Sequence, residues 1–394
     1  MSDHDLFRIR IALLRAFCRD HGYDGLLLSR VDNFAMATGG RSNFVNRFQD
    51  GGVCSLFVTE DAVYFVGNTI EAPRIMDEEL AGFGCEVRDF LWFETNAAAV
   101  VKAGFQGRFA SDDGSLGDNI HGKLGRIRSL LTPRECDKYR ELGEIAAQSM
   151  EATLAVIEPG MTEEEAAILL ATEGAMRSTH TPVVLVAADE RIAQYRHPVP
   201  TARDLLGERE SLAVKGYVMV VGCFQAEGLV CSVTRFKQVG DLPEGIADAY
   251  DRIAAVDARM QEATQIGRTL GDVFSECQQA YAEHGFRENE WHYHHQGGTT
   301  GYGARTAKGS PGESFPILGG NESEAVGEAT GLEVEFAQAF AWNPSGIGVK
   351  SEDTFLLLPD GTQEILTLTP ELPQVDLEAV LGRPTAVVKS GMAV

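Results

Sequence analysis

The stretch from Trp291 to Ala304 reads WHYHHQGGTTGYGA and places His292, His294 and His295 directly before a glycine-rich turn. Imidazole is a common metal ligand and the side chain that most readily exchanges protons near neutral pH. On a strand, His292 and His294 point to one face and His295 to the other, so the three cannot meet one ion without a bulge. The stretch predicts one wall of a functional site, and the chemistry of that site depends on four other segments. These are YRHPVP at Tyr195–Pro200, MVVGCFQAEG at Met219–Gly228, SVTRF at Ser232–Phe236 and WNPSGIGVKSED at Trp342–Asp353.

The bulk composition excludes several classes of protein. With 394 residues, 44% of them hydrophobic, the chain is long enough for two domains, because single cores rarely grow beyond about 250–300 residues. A formal net charge of −24 disfavours a nucleic-acid partner, since that affinity comes mainly from clustered Lys and Arg. The seven cysteines show no CxxC spacing, which indicates a reducing compartment. No apolar run approaches the roughly 18 residues of a membrane span, so we expect a cytoplasmic protein without membrane contact.

Hydrophobic periodicity predicts an α/β fold with α+β character, in two domains that span 1–124 and 125–394. Thr162 and Glu165 form a capping-box pattern that marks one helix start. The expected elements of the first domain are helices at 6–21, 33–40, 68–80 and 93–103, and strands at 25–29, 53–58, 62–66, 85–90 and 108–111. Those of the second are helices at 131–157, 162–176, 248–266 and 270–285, and strands at 182–187, 217–224, 228–239, 333–342 and 354–358.

Five motifs follow one another in an informative order. They are PGMTEEEAA at a helix junction, the histidine before proline in YRHPVP, the TR pair of SVTRF, the histidine-to-glycine turn, and a late ED after WNP. This order resembles the creatinase, aminopeptidase P and methionine aminopeptidase superfamily, which has the pita-bread fold. The resemblance implies a creatinase- or prolidase-type N-terminal domain over 1–124 and a pita-bread catalytic domain over 125–394. It also implies a homodimer in which each N-terminal domain reaches the partner's active site.

The metal-ligand positions of that superfamily are altered in this chain. Its metallopeptidases hold two divalent ions with two Asp, one His and two Glu. The corresponding residues here are Val221, Ser232, Gly298, Asn343 and Glu352. A dinuclear site needs carboxylates to offset about four positive charges, so an aliphatic group, a hydroxyl and an amide argue against it. We therefore predict a protein without metal or other cofactor, although His295 would be a second retained ligand if it is the motif histidine.

Resemblance to creatinase, the metal-free branch of the superfamily, assigns the proton chemistry. His197 in YRHPVP matches the proton-transferring histidine, and a neutral imidazole can take a proton from water and give it to a leaving nitrogen. Glu352 then orients the imidazole, holds a cationic substrate or positions water. His294, or its neighbour His295, donates a hydrogen bond to the substrate or to a developing oxyanion. The predicted catalytic residues are His197, His294 and Glu352.

The predicted substrate-binding residues come from both domains. Ser232 and Asn343 offer neutral hydrogen-bonding groups where charges were expected. In creatinase-like dimers the N-terminal domain presents an arginine to the substrate carboxylate, because guanidinium binds carboxylate through two parallel hydrogen bonds. The full set of candidates is Ser232, Asn343, His295, Tyr302, Arg41 and Arg47.

The leading hypothesis is a metal-independent, creatinase-like hydrolase that cleaves a C–N bond, amide or amidine, in a small amino-acid-derived substrate or short peptide. A competing hypothesis is a metallo-dipeptidase of the Xaa-Pro type, with a site rebuilt from the histidine cluster and Glu333 or Glu335. A third is a catalytically inactive pita-bread module that binds peptides or proteins. A lyase that acts beside a carboxylate is also compatible with a histidine base.

Overall fold

The N-terminal part of the chain forms a six-stranded mixed sheet with helices against it. The computed structural model describes residues 1–318 and 322–394. The first elements are α1 Asp3–His21, β1 Gly25–Arg30, α2 Val31–Thr38, β2 Gly51–Thr59, β3 Val63–Asn68, α3 Ala72–Arg74, β4 Glu86–Phe90, α4 Ala97–Gly104, β5 Phe109–Ser111 and β6 Asp118–Asn119. The strand order is β4-β3-β2-β1-β5-β6. β2 and β3 form the predicted antiparallel hairpin.

The second part begins with a short helix and contains the long α6. Its elements are α5 Gly125–Ser129, β7 Leu130–Leu131, α6 Pro133–Val156, α7 Glu163–Met176, β8 His180–Ala188, α8 Glu190–Gln194, β9 Tyr217–Ala226, β10 Leu229–Gln238, α9 Ile246–Ala263, α10 Leu270–Glu283, β11 Gly297–Gly301, β12 Gly303–Lys308, α11 Glu322–Thr330, β13 Ala337–Trp342, β14 Ser345–Gly346, β15 Val349–Lys350, β16 Asp353–Leu357, β17 Gln363–Ile365 and α12 Leu377–Leu381. The predicted α/β class is confirmed. The domain boundary at residue 124 lies between β6 and α5 and remains a prediction.

Two sheets meet in the middle of this second part. One has the order β10-β9-β8, and the other has the order β12-β11-β13-β16-β17 with β7 paired to β13. They are joined where the backbone N–H of Thr234, in β10, donates to the carbonyl of Glu352 over 3.1 Å. This contact brings the side chains at the start of β16 next to those of β10, so residues more than a hundred positions apart share one site.

Local signals at helix starts agree with the structure. The Thr162 hydroxyl accepts from the Glu165 backbone N–H at 3.2 Å, and the Glu165 carboxylate accepts from the Thr162 N–H at 2.8 Å. The predicted capping box is thus confirmed, because both side chains satisfy donors that a helix terminus otherwise leaves free.

Two local predictions are wrong. The helix expected over 68–80 is only the short α3 and a π-helical turn, Ile75–Glu79. The histidine stretch is not a strand before Gly297, because Glu290–Tyr293 forms a 3₁₀ turn that follows Asn289 at φ 58°. Face alternation along a strand therefore does not decide where these histidines point.

A buried ion pair ties the N-terminal helix to the second part of the chain. Arg10 of α1 is fully buried and pairs with Glu135 at the start of α6. Arg10 also donates to the carbonyls of Ile127 at 2.9 Å and Leu130 at 2.7 Å. Tyr302 donates its hydroxyl to Glu135 at 2.6 Å. Each polar group in this cluster has a partner, which is the condition under which burial of charge is tolerated.

Within residues 1–318 and 322–394, no helix combines the length and the apolar character that crossing a bilayer requires.

We expect Arg10→Ala to lower the free energy of unfolding by about 3–5 kcal/mol, because it leaves the Glu135 carboxylate buried without its cation. Arg19→Ala is the matched control, since Arg19 pairs with Glu60 on the surface, where such pairs contribute about 0–1 kcal/mol. Urea unfolding followed by circular dichroism measures both. Equal midpoints for the two variants would show that the buried pair does not hold α1 in place.

Candidate functional site

Three histidines form the centre of the candidate site. His197 lies in the loop after α8, and His294 and His295 lie between the 3₁₀ turn and β11. The Nε2 atoms of His197 and His294 are 3.0 Å apart. The ring centroid of His197 lies 4.6 Å from that of His294 and 5.2 Å from that of His295. The structure thus brings together histidines almost a hundred residues apart, as the motif order predicts.

Arg196 and Gln296, which sequence reasoning missed, fix the positions of the loop that carries His197 and the loop that carries His294 and His295. Arg196 forms an ion pair with buried Glu290 and donates to the carbonyl of Gly346. Gln296 is fully buried and donates to the carbonyl of His294 at 2.5 Å. Their positions beside His197 and His295 were the only signal in the sequence. These contacts fix the backbones of the two loops that carry the cluster.

Glu352 is the buried anion of the site. Its Oε2 accepts from the Thr234 hydroxyl at 2.7 Å and pairs with Lys350 Nζ at 3.2 Å. Its Oε1 accepts from Arg305 at 2.8 Å and from the Asn343 amide at 3.3 Å. Burial raises the pKa of Glu352, but Lys350 and Arg305 outweigh it and bring the pKa to about 2. Glu352 is therefore a permanent carboxylate, and neither of its cations was anticipated from the sequence.

The remaining ligand positions do not fit the two metal ions that the superfamily's metallopeptidases hold. Val221 is an aliphatic side chain only 2% exposed. The Ser232 hydroxyl donates to Cys223 Sγ at 3.3 Å. A Cβ atom at Gly298 would lie 2.1 Å from the carbonyl oxygen of Ala307, so no histidine could replace this glycine without moving β12. The Asn343 amide N–H donates a hydrogen bond to Glu352. The Glu352 carboxylate is already paired with Arg305 and Lys350.

Thr234 and Arg235, the TR pair of SVTRF, point to opposite sides of β10 and have different partners. Thr234 binds Glu352 inside the site, whereas Arg235 points to the other side of β10 and pairs with Asp353 at 2.6 Å. Arg235 is 2% exposed and also donates to the Thr369 hydroxyl at 2.8 Å. This placement agrees with the expectation that Arg235 is structural.

The pKa of each histidine in the cluster is lowered. Burial is the largest cause for His197, followed by the nearby ammonium of Lys350. Burial and Arg305 lower the pKa of His295 to about 4. The pKa of His294 falls far below its ordinary value because the side chain is buried and faces Lys350. At neutral pH all three rings are neutral, and each offers one N–H donor and one acceptor.

Several predicted residues lie away from the cluster in the same chain. Tyr302 is fully buried and bonded to Glu135, which leaves it no surface for a substrate, so its assignment is corrected to a structural one. Arg41 pairs with Asp3 at 3.0 Å, and Arg47 lies over the ring of Phe44. Both arginines line a cavity of about 410 Å³ beside the turn between β9 and β10. A contact with a partner's site remains a prediction.

Three further side chains considered as metal ligands lie apart from the cluster. His292 is exposed on the 3₁₀ turn, with its ring centroid 3.9 Å from that of Trp291. Glu333 and Glu335 are exposed ahead of β13. Among the described residues, the potential metal-binding group is His197, His294 and His295, whose ligand atoms all lie within 4.8 Å of one another. A metal centre built from this cluster with Glu333 or Glu335 therefore finds no support.

The fold and the site's position define a pita-bread protein with a creatinase- or prolidase-type N-terminal domain. The family described as Metallopeptidase family M24 matches residues 137–358. This chain belongs to that family of hydrolases, which act on peptide bonds, and the resemblance to the creatinase and aminopeptidase P superfamily is confirmed.

Solved structures agree on the fold at low sequence identity. An Xaa-Pro dipeptidase from Bacillus anthracis is 19% identical, with a TM-score of 0.66 over 92% of this chain and 97% of that chain. Dipeptidase PepE from Mycobacterium ulcerans is 16% identical, with a TM-score of 0.70 over 100% and 99%. The N-terminal domain of FACT complex subunit SPT16 from Cicer arietinum is 10% identical, with a TM-score of 0.62 over 96% and 99%. No curated protein matches the chain.

The lowered histidine pKa values predict a pH-dependent stability. An unfolded histidine binds a proton near pH 6.5, whereas the folded cluster stays neutral to lower pH. The unfolded state then holds more protons, so the free energy of unfolding falls as pH drops from about 7 towards 4. We expect His294→Gln to flatten this decrease in urea titrations at several pH values. The control His292→Gln should keep the wild-type slope, and an unchanged slope for His294→Gln would contradict the assignment.

Proposed function

We propose that this protein hydrolyses a C–N bond, amide or amidine, in a small amino-acid-derived substrate or short peptide, without the dinuclear metal site of its family. The observation that carries the proposal is that Arg305 and Lys350 pair with Glu352 where metal ligands were expected. The His197–His294 pair beside them supplies the acid–base group. Family membership supports hydrolysis of a peptide-like bond, and the altered ligands support the metal-independent route.

His197 is the proton carrier in this proposal. Its side chain is exposed on the site surface, while His294 behind it is buried. When His294 is neutral, the lone pair of its Nε2 can accept a hydrogen bond from the N–H of protonated His197, whose Nε2 lies 3.0 Å away. His197 takes a proton from the attacking water, the water oxygen bonds to the carbonyl or amidine carbon, and His197 then gives the proton to the leaving nitrogen. His294 thereby stabilises the charged form of His197 during the reaction.

Glu352 does not act as a base in this mechanism. Four side chains contact its two oxygens, and a carboxylate with a pKa of about 2 is a poor proton acceptor at neutral pH. Its role is to anchor Arg305 and Lys350, which face the reaction region as cations. Those cations supply positive charge near a developing oxyanion, a form of stabilisation worth more in a buried site than in water.

A second candidate is a metallo-dipeptidase that binds one ion with the three histidines. It is favoured by the convergence of their ligand atoms within 4.8 Å and by the dipeptidases among the similar structures. Three protein ligands with an open fourth position suit catalytic zinc. The positive charges of Arg305, Lys308 and Lys350, which act on these same rings, oppose a divalent cation, so we place this candidate second.

The homodimer implied by the superfamily belongs to the same proposal, with Arg41 or Arg47 of one subunit at the rim of the other's site. Arg41 pairs with Asp3 in its own chain, whereas Arg47 is exposed. Arg47 is therefore the better candidate to reach the partner's site.

We expect His197→Gln to lower kcat by about 10²–10⁴-fold, the range for loss of a general acid–base group. His292→Gln is the matched control, because it removes an exposed histidine outside the cluster. Turnover is followed by mass spectrometry on panels of dipeptides, N-acyl amino acids and amidines. A wild-type protein that binds these compounds and turns over none of them would instead indicate a binding module.

We expect chelation to leave the rate unchanged, because Arg305 and Lys350 provide the positive charge of the site. The measurement is elemental analysis of the purified protein, with activity before and after dialysis against chelator and after addition of Zn²⁺ or Mn²⁺. Loss of activity on chelation, its return with one ion per chain, and loss of that ion in His295→Gln would establish the second candidate.

A further inference from the structure

The sheet of the N-terminal part ends in an open strand edge. Among the described residues, β4 is the outermost strand on one side of the sheet and pairs with β3. The carbonyl of Phe90 accepts the N–H of Thr69, directly after β3, at 2.9 Å. Because backbone groups alternate along a strand, the N–H and C=O of Val87 and Asp89 point away from β3. An edge of this kind is a template for another strand.

Large apolar side chains are exposed beside this edge. Trp92 and Phe93 are 62% and 64% exposed, and their ring centroids lie 5.5 Å apart. Ile70 follows β3, Leu91 follows β4, and both are exposed as well. Single exposed apolar side chains are ordinary, whereas four of them next to an open strand edge are typical of an interaction surface. We call residues 86–93 together with Ile70 the β4 surface.

The charges of β4 identify the strand that fits it. Glu86 and Arg88 project from the same face of the sheet, because they are two residues apart, and both are exposed. When two copies of β4 pair antiparallel about a two-fold axis at Val87, Glu86 of each copy lies opposite Arg88 of the other. An axis at Glu86, Arg88 or Asp89 would place two like charges opposite each other, which is destabilising. The charge pattern of β4 is therefore complementary to itself about Val87.

The backbone favours the same axis. With Val87 on the axis, the outward N–H and C=O groups of the two Val87 residues exchange hydrogen bonds. The Glu86–Arg88 pairs then fall at the positions without hydrogen bonds, where opposite side chains are closest. Within one chain, Arg88 already pairs with Glu86 at 3.0 Å and donates to the Val87 carbonyl at 3.1 Å. Association replaces these contacts with equivalent ones across the axis.

The same register places apolar groups opposite each other. Leu91 of one copy would lie opposite Phe83 of the other, since both are four residues from Val87. Phe83 is partly exposed, and it lines a cavity of about 530 Å³ together with Phe7 and Ile11 of α1. The apolar side chains that follow β4 in one copy thus meet the rim of this cavity in the other.

We propose that the β4 surface is an interface at which two copies of this chain pair antiparallel about Val87 and form one continuous sheet. The occupant is a second copy because a second β4 supplies the complementary charges at the required spacing. Arg41 and Arg47 lie in the loop between α2 and β2, outside this surface. The contact is therefore separate from the dimer of the proposed function and independent of catalysis. A chain that forms both contacts assembles as a tetramer.

Charge reversal in the full-length protein tests the axis. Glu86→Arg places arginines opposite each other at both pairs, and Arg88→Glu places glutamates there. Each variant should weaken the association by at least about tenfold. In light scattering coupled to size-exclusion chromatography, we expect each variant to have half the mass of the wild-type protein. An equimolar mixture of the two variants restores opposite charges at both pairs and should recover the wild-type mass, as should the double variant Glu86→Arg/Arg88→Glu.

A matched variant separates this interface from the general charge of the protein. Glu283→Arg makes the same charge change in an exposed ion pair with Arg259 on another face, and it should keep the wild-type mass. Hydrogen exchange gives a second measurement, because the Val87 amide should be protected in the wild-type protein and exchange freely in Glu86→Arg. Circular dichroism of every variant checks that it is folded.

Three results would overturn the inference. They are equal masses for the wild-type protein and both single variants, a mixture that does not recover the wild-type mass, and a Val87 amide that exchanges equally fast in the wild-type protein and in Glu86→Arg. A mass that falls in Arg47→Gln but not in Glu86→Arg would also contradict it, since that pattern places the contact between chains at the loop after α2.

Discussion

The carboxylate of Glu352 is the interaction on which the rest of the site depends. It receives hydrogen bonds or ion pairs from Thr234, Arg305, Asn343 and Lys350, which lie in β10, β12, the loop between β13 and β14, and β15. A carboxylate buried this deeply is tolerated only when its charge and its lone pairs are all matched. One anion therefore determines where two cations lie, and it also holds the start of β16 against β10.

The neutral state of the histidines has two causes. Burial is the larger one and disfavours protonated imidazole. The positive charges of Arg305, Lys308 and Lys350 act in the same direction. In the proposed mechanism, the proton carrier must begin as a base, and these two effects keep it in its basic form. The mutual 3.0 Å contact of His197 and His294 then gives a transferred proton a defined position.

The fold is shared at low sequence identity. The M24 family matches residues 137–358, and two dipeptidases, 19% and 16% identical, have TM-scores of 0.66 and 0.70. The sheets that meet at Thr234 and Glu352 need an electrostatically matched centre, and cations from the chain itself can provide it. At Gly298 the close approach of the Ala307 carbonyl leaves no room for a ligand side chain.

Much of the architecture could be predicted because it depends on local patterns. Hydrophobic periodicity located α6, β9 and β10, and the capping box of Thr162 and Glu165 located the start of α7. The order of motifs was enough to place His197 and His294 in one candidate site, and the resemblance pointed to Val221, Ser232 and Asn343 as altered ligand positions. Alternation along a strand failed to predict the 3₁₀ turn before His294. There the positive φ of Asn289 and the burial of Glu290 decide the backbone conformation.

The sequence by itself determined the superfamily, and it pointed to the histidines of the candidate site and to unusual residues at the expected ligand positions, since these depend on which residues occur and in what order. The tertiary structure decided which cations pair with Glu352 and which candidate residues are held in structural contacts. Arg305 and Lys350 carry no local signal, because long flexible cations are common on surfaces, and Tyr302 looked available until Glu135 was placed against it. Electrostatic matching inside a protein depends on distance in space, and distance along the chain does not encode it.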